Sequence, residues 1–376
     1  MTAPPRILHC HSTFSAGGKE LRAVQLMNAF GKALQHTIVS GEPDQMGARE
    51  HIDRAVEVDF PSDFPSLTGF PSPGRLVNIA QALKPYDLIL TYNWGAMDVV
   101  MAHTVFAKQF DLPPLIHHED GFNEDEAEQL KSRRNWYRRA ALSRVSSLVV
   151  PSRVLEQIAL NTWQQPRDRV LRIPNGIDTK RFAKKPKPSA LRVVKREGEF
   201  WIGTLAGLRP VKQLPALVEA CVGLPENWHL VILGEGPDKD AIRQAAVDAE
   251  NAHRVHLPGA IADPASVIGL FDIFALSSKS EQFPLSVVEA MAAGLPVVAP
   301  DVGDIRTMLS EDNRHYIAAS SDPIPLGVML EELAADADLR DLIGTVNQKK
   351  AREEFDEATM IKRYRDLYSG AMERQF

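Results

Sequence analysis

A chain of 376 residues that is 44% hydrophobic exceeds one ordinary core and can fill two, which excludes global disorder. Its net charge of −6 argues against general nucleic-acid affinity, because that binding shows as a basic domain. Neither an apolar leader segment nor a run of the ~18 apolar residues that a membrane helix needs is present, so a cytoplasmic protein is expected.

In chain order, short apolar runs with strand character fall at 6–11, 36–40, 86–92, 114–118, 147–152 and 170–174. A second series follows at 200–206, 229–234, 254–258, 273–277 and 296–299. Most are continuous rather than alternating, as strands buried on both faces must be. Stretches of helical periodicity between them, such as 20–30 and 214–222, complete βαβ units. These features predict an α/β protein of two Rossmann-like, doubly wound parallel-sheet domains facing an interdomain cleft. The Pro/Lys-rich stretch 183–198 reads as the linker between domains at 1–182 and 199–355. A last helix is expected within 356–376, packing on either domain. Cys10 and Cys221 lie far apart without a CxxC partner, which excludes a structural zinc site and disfavours a disulfide.

The chemistry-bearing residues concentrate in the second half. After the run 200–206 come Gly207, Arg209 and Lys212. A small residue at a strand end lets backbone approach a ligand, and the two cations suit a departing diphosphate, which gains negative charge in the transition state. Gly234 and Gly236 bracket a strand-to-helix turn that would admit a phosphate, although the third glycine of a dinucleotide fingerprint is missing. Asp238 and Asp240 formally make a DxD metal pattern, but acids in a first helical turn explain them better. Glu281 precedes a helix expected over 286–293, started near Pro284 and stopped at Gly294, and Glu289 sits on its second turn. Two carboxylates at different heights can accept hydrogen bonds from the vicinal hydroxyls of a hexose and a ribose. The amides around Leu285 can take a phosphate between them.

This ordered set resembles family 4 of the retaining glycosyltransferases, with the GT-B fold. The resemblance rests on Gly207-x-Arg209-x-x-Lys212, on Gly234 to Pro237, and on Glu281 and Glu289 eight residues apart. Asn175 to Asp178 and the glycine-rich Gly17-Gly18-Lys19-Glu20 add to it. It implies that Arg209 and Lys212 bind the donor diphosphate, that Glu281 holds hydroxyls of the transferred sugar and Glu289 the ribose diol. It further implies that the backbone of Phe283 and Leu285 helps hold phosphate and sugar, and that Gly18 lies near the phosphate. The expected reaction is metal-independent, cofactor-free hexose transfer from a UDP- or GDP-sugar, with retention. The acceptor would be a glycan or lipid-linked molecule of bacterial cell-surface biosynthesis.

This chain departs from the family pattern where a donor-contacting histidine is usual. His118, His117 or Asp120 can take that place, and His118 is the preferred choice. His117, Glu119 and Asp120 then fall on the acceptor side with Asn93 and Trp94, where Trp94 offers a platform for a sugar face and Asp98 a hydrogen bond. The segment 131–144 is a basic helix carrying Trp136 and Tyr137 that can meet an anionic membrane, partly offset by the acidic run 124–128. Two rival readings are an epimerase acting on the donor alone and a noncatalytic sugar-nucleotide binder.

Overall fold

The computed structural model describes residues 3–122, 126 and 130–376. The chain divides into one unit of Met1–Pro174 with Met360–Phe376 and another of Asn175–Thr359. Among the described residues the first unit holds strands β1 (Arg6–His11), β2 (Gln35–Ser40), β3 (Glu57–Asp59), β4 (Leu88–Tyr92), β5 (Leu115–His118), β6 (Ser147–Val150) and β7 (Val170–Arg172). They run parallel in the order β3-β2-β1-β4-β5-β6-β7. The second unit holds β8 (Phe200–Leu205), β9 (Trp228–Leu233), β10 (Val255–Gly259), β11 (Ile273–Ala275), β12 (Val297–Pro300) and β13 (Ile317–Ala318). Their parallel order is β10-β9-β8-β11-β12-β13.

Each sheet is buried on both faces, which is why the strands read as apolar runs. In β4, Ile89 packs into the cluster under the helices Pro73–Leu83 and Met97–Phe110, while its neighbours Leu88 and Leu90 face the opposite cluster. That opposite cluster is closed by the last helix, Glu357–Ala371, which buries Met360, Tyr364 and Tyr368 against Ile7, Tyr92 and Ile116. Burying each such side chain contributes roughly 1.5–3 kcal/mol, so this terminal helix belongs to the first core.

The 183–198 stretch differs from its reading as a linker. Leu191 is buried in the second unit's core, and Pro186 packs so closely on Gly269 that a Cβ there would lie 2.8 Å from its ring. The division falls at Pro174 because the next residues pair inside the second unit. Ile177 N–H donates to Phe355 O (3.0 Å), and Glu357 N–H donates to Ile177 O (2.9 Å).

In both sheets strand order reverses beside the first strand, between β1 and β4 and between β8 and β11. Loops leaving the carboxyl ends of those strands form the crevice where such sheets bind ligands.

Candidate active site

In the second unit the loop after β8 carries Gly207, Arg209 and Lys212, and the loop after β11 carries Ser277, Ser278 and Glu281. The two loops are tied by backbone and hydroxyl bonds. Lys279 N–H donates to Val211 O (2.8 Å), and the Ser277 hydroxyl donates to Lys212 O (2.9 Å). Lys212 Nζ lies 2.5 Å from Glu281 Oε1, and the Ser278 hydroxyl donates to that same oxygen at 2.7 Å. Glu281 Oε2 takes no hydrogen bond among the described residues. One oxygen is therefore spent on positioning and the other is available to a ligand hydroxyl.

Arg209 is exposed and has no carboxylate partner among the described residues. The Glu281 loop is braced from below by residues 301–304. Gly303 adopts φ +56°, a Cβ on it would come within 2.3 Å of Glu281 O, and Asp304 N–H donates to Gln282 O (3.2 Å).

The helix after Glu281 runs Leu285–Ala292, with Pro284 at its N-cap and no side-chain cap, and Gly294 (φ +81°) beyond its end. Its uncapped first turn leaves backbone N–H groups for an anion. Phe283 is buried against Phe355, ring centroids 5.6 Å apart, so only its backbone is placed for a ligand. Glu289 lies half-buried on the second turn with no hydrogen-bond or ion-pair partner among the described residues, and burial pushes its pKa up to about 7. An unpaired, partly desolvated carboxylate is costly unless something donates to it. A ribose diol has the donors to do so.

Gly234 and Gly236 have a different cause from the phosphate access expected of them. A Cβ on Gly234 would lie 1.8 Å from Ala206 O, and one on Gly236 2.3 Å from Leu208 O. Leu208 N–H donates to Glu235 O (3.0 Å), and Asp238 N–H donates to Leu208 O (3.1 Å). These glycines admit the close approach of the arginine-bearing loop. Asp240 sits in the first turn of the helix Lys239–Asp248, 3.2 Å from Arg243.

In the first unit the loop after β1 leads to the helix Gly18–Phe30, capped by Gly17 without a side-chain bond. Gly17 closes on the Glu20 carboxylate, which pairs with Lys19. Gly18 is exposed, and among the described residues nothing lies within 4 Å of where its Cβ would be. It leaves the open surface that a phosphate would need.

The residues at and just after the end of β5 require corrections. His118 is enclosed: its ring stacks on Tyr92 (4.7 Å, 14°), Nδ1 faces Thr91 O (3.3 Å) and Nε2 faces the Tyr368 hydroxyl (3.5 Å). A ring sealed beneath the last helix has no exposed face to offer a sugar, which differs from its expected place at the donor. Burial and the nearby Arg22 cation hold its pKa well below 6.5. His117 and Glu119 are also fully buried. Nδ1 of His117 meets the Thr91 hydroxyl (2.8 Å), and Glu119 lies 3.8 Å from His117 and 3.3 Å from Arg138. They brace the carboxyl end of this interior strand rather than line an acceptor surface.

Of residues 117–120, only Asp120 keeps exposed side-chain surface. Arg22 grips it with two bonds, Nη2 to Oδ2 at 2.9 Å, and its N–H donates to Asn93 Oδ1 (2.8 Å). Asn93 itself sits at φ +53°, a strained conformation held by its N–H bond to His118 O (2.8 Å). Trp94 is not a free platform, because Arg134 and Arg138 lie 5.0 and 4.9 Å from its ring centroid. Asp98 is likewise spent, on Arg75 (2.5 Å) and the Tyr137 hydroxyl (2.6 Å).

Arg22 and the 301–304 brace carried no sequence signal, since each acts through a partner distant in the chain, whereas Ser278 lies three residues from Glu281 and reads in sequence as an ordinary loop serine. The helix Ser132–Ala141 turns Arg138 inward onto Glu126 (3.1 Å) and leaves Trp136 68% exposed. Of the acidic run 124–128, all but Glu126 lies outside the described residues. No described helix is long and apolar enough to cross a membrane.

Residues 191–350 match the family described as "Glycosyl transferases group 1", and residues 16–181 match "Glycosyltransferase Family 4". The chain is 24% identical over 174 residues to the N-acetyl-alpha-D-glucosaminyl L-malate synthase of Bacillus anthracis, covering 46% of each chain. It is 29% identical over 203 residues to the D-inositol 3-phosphate glycosyltransferase of Xylanimonas cellulosilytica, covering 50% of this chain and 49% of that one. The match thus spans about half the length of these two relatives. In fold it is similar to HepE from Anabaena, solved in complex with UDP, with a TM-score of 0.80 at 20% identity over 97% of this chain and 100% of that one. The two matching halves, their order and the paired parallel sheets place this chain among the group 1, family 4 glycosyltransferases of GT-B fold.

Proposed function

We propose that the protein is a retaining, metal-independent glycosyltransferase that moves a hexose from a UDP- or GDP-sugar to a glycan or lipid-linked acceptor. The observation that carries this reading is the constellation across the β8/β11 crevice. The exposed Arg209 guanidinium and Lys212, pinned to Glu281, come from one loop and its neighbour, and Glu289 stands unpaired beyond them.

In the reaction the bond from the sugar's anomeric carbon to the β-phosphate oxygen breaks, and a bond to the acceptor oxygen forms on the same face. The acceptor's proton passes to the leaving phosphate oxygen. Arg209 and Lys212 stabilise the charge that grows on that phosphate, the role a divalent ion plays in other transferases. Glu281 Oε2 accepts from hydroxyls of the transferred sugar, and Glu289 accepts from the ribose diol. Neither carboxylate needs to act as base or nucleophile. UDP in the HepE complex supports a nucleoside diphosphate as the donor's leaving group.

A lipid-linked acceptor agrees with the outward face of the helix Ser132–Ala141, where Arg133 and Arg139 flank Trp136 and Arg144 follows. These arginines have no carboxylate partner among the described residues, and such a face suits peripheral contact with an anionic membrane in bacterial cell-surface glycan or glycolipid synthesis. The test is incubation with UDP- and GDP-sugars and a bacterial lipid extract, with the product's anomeric configuration read by NMR. Transfer with the donor's configuration retained is expected. Epimerised donor without transfer, or binding without turnover, would instead favour one of the two rival readings.

A further inference from the structure

Beside Trp136 the first unit holds a surface cavity of about 250 Å³, lined by Ser132, Asn135, Trp136, Arg139 and Thr162. The first four lie at spacings of three, four and seven on one helix and therefore share a face. Thr162 closes the other side from Ile158–Thr162, a π-helical turn, and Gln164 just beyond it is held at φ +51°. Such π turns and positive φ values cost free energy and recur at functional sites. The cavity adjoins the first turn of a ten-residue helix, which favours negative charge.

Three features point to the occupant. Arg139 has its guanidinium carbon 5.3 Å from the Trp136 ring centroid and no carboxylate partner among the described residues. Asn135 commits its side-chain oxygen to Trp163 Nε1 (3.1 Å), so its remaining capacity is to donate. Ser132 and Thr162 add hydroxyls. The lining is thus one cation plus donors beside an exposed indole, the composition that suits a phosphate ester at a membrane–water interface.

We propose that this cavity seats the headgroup phosphate of an anionic phospholipid while Trp136 enters the interfacial layer beside it. The inference rests on the membrane contact proposed above and sharpens it from a smeared charge to a defined subsite. A delocalised patch would treat Arg139 and Arg144 alike, whereas a subsite distinguishes them.

The experiment uses the full chain in two measurements. In sedimentation with phosphatidylcholine vesicles, adding phosphatidylglycerol should increase binding. Arg144→Ala should weaken it about five-fold, the equivalent of ~1 kcal/mol per surface cation, and Arg139→Ala by more than that. In the second, sn-glycerol 3-phosphate should protect Trp136 from acrylamide quenching, with Trp136→Phe as the blank. Protection should persist in Arg144→Ala and vanish in Arg139→Ala. Anionic-vesicle binding without protection would overturn the subsite and leave the membrane contact standing. No preference for anionic vesicles would overturn both, while donor binding in the second unit remains separately testable by nucleotide-induced stabilisation. Protection by neutral glucose but not by glycerol phosphate would also overturn the proposal and assign the cavity to a glycan.

Discussion

Replacing Glu289 with glutamine separates what the residue does for binding from what it does to stability. Burial raises its pKa from an ordinary 4.5 to about 7, and no described cation or donor offsets the cost of its charge. An acid whose folded pKa is raised stabilises the fold fully below its unfolded pKa, and that contribution is lost as pH rises through the folded value. Here the window runs from 4.5 to about 7. At about 1.4 kcal/mol per pH unit the ionised carboxylate costs at most ~3 kcal/mol above pH 7. Glu289→Gln should therefore raise the urea midpoint at pH 8 by up to ~1 M, taking a slope of about 3 kcal/mol per M. At pH 4.5 variant and parent should coincide. The same variant should lose nucleotide-sugar affinity, because an amide cannot offer two acceptors to a ribose diol. In the parent, donor affinity should rise with pH through about 7 as the carboxylate ionises. Urea melts followed by circular dichroism, with donor titrations alongside, check both. A variant no more stable at pH 8, or one that binds donor normally, would rule out this role for Glu289.

Three further outcomes probe the scaffold. Gly236→Ala should cost about 1–3 kcal/mol and sharply weaken donor binding, because its Cβ would meet Leu208 O at 2.3 Å and push the arginine-bearing loop. Gly18→Ala, with nothing within 4 Å, should leave the melting temperature unchanged. In the first unit, burial together with neighbouring histidines or cations holds the pKa values of His9, His11 and His118 well below 6.5, so stability present at neutral pH should fall as pH drops below that value. His11 stacks on Tyr92 at 4.0 Å, and neither ring nitrogen has a hydrogen-bond partner among the described residues. His11→Phe should shift the acid-unfolding midpoint, read by near-ultraviolet dichroism, to lower pH.

The strand pattern was legible because each sheet is buried on both faces and writes its strands as apolar runs. β3 and β13 were missed: Glu57–Asp59 and Ile317–Ala318 are short edge pieces with no run to read. Proline and lysine made 183–198 look like a linker, whereas the long-range contacts of Leu191 and Pro186 make it part of the second unit. The second-unit residues were legible as a set because Arg209, Lys212, Glu281 and Glu289 fall on two adjacent strand-end loops and one helix. Their couplings were not: the Lys212–Glu281 pair spans 69 residues. The first-unit site was misread for the same reason. What seals His118 is Tyr368, 250 residues away, and what occupies Trp94 is a pair of arginines on a later helix. Local spacing shows which groups share an element, and only the packing shows which of them remain free.

The most direct test of a diphosphate grip by Arg209 and Lys212 is nucleotide-induced stabilisation, since a ligand that binds the folded state raises the melting temperature by mass action. With the intact chain, UDP- or GDP-sugars should raise it, and the Arg209→Ala/Lys212→Ala double variant should show no shift with any nucleotide sugar. A shift that survives in the double variant would contradict the assignment.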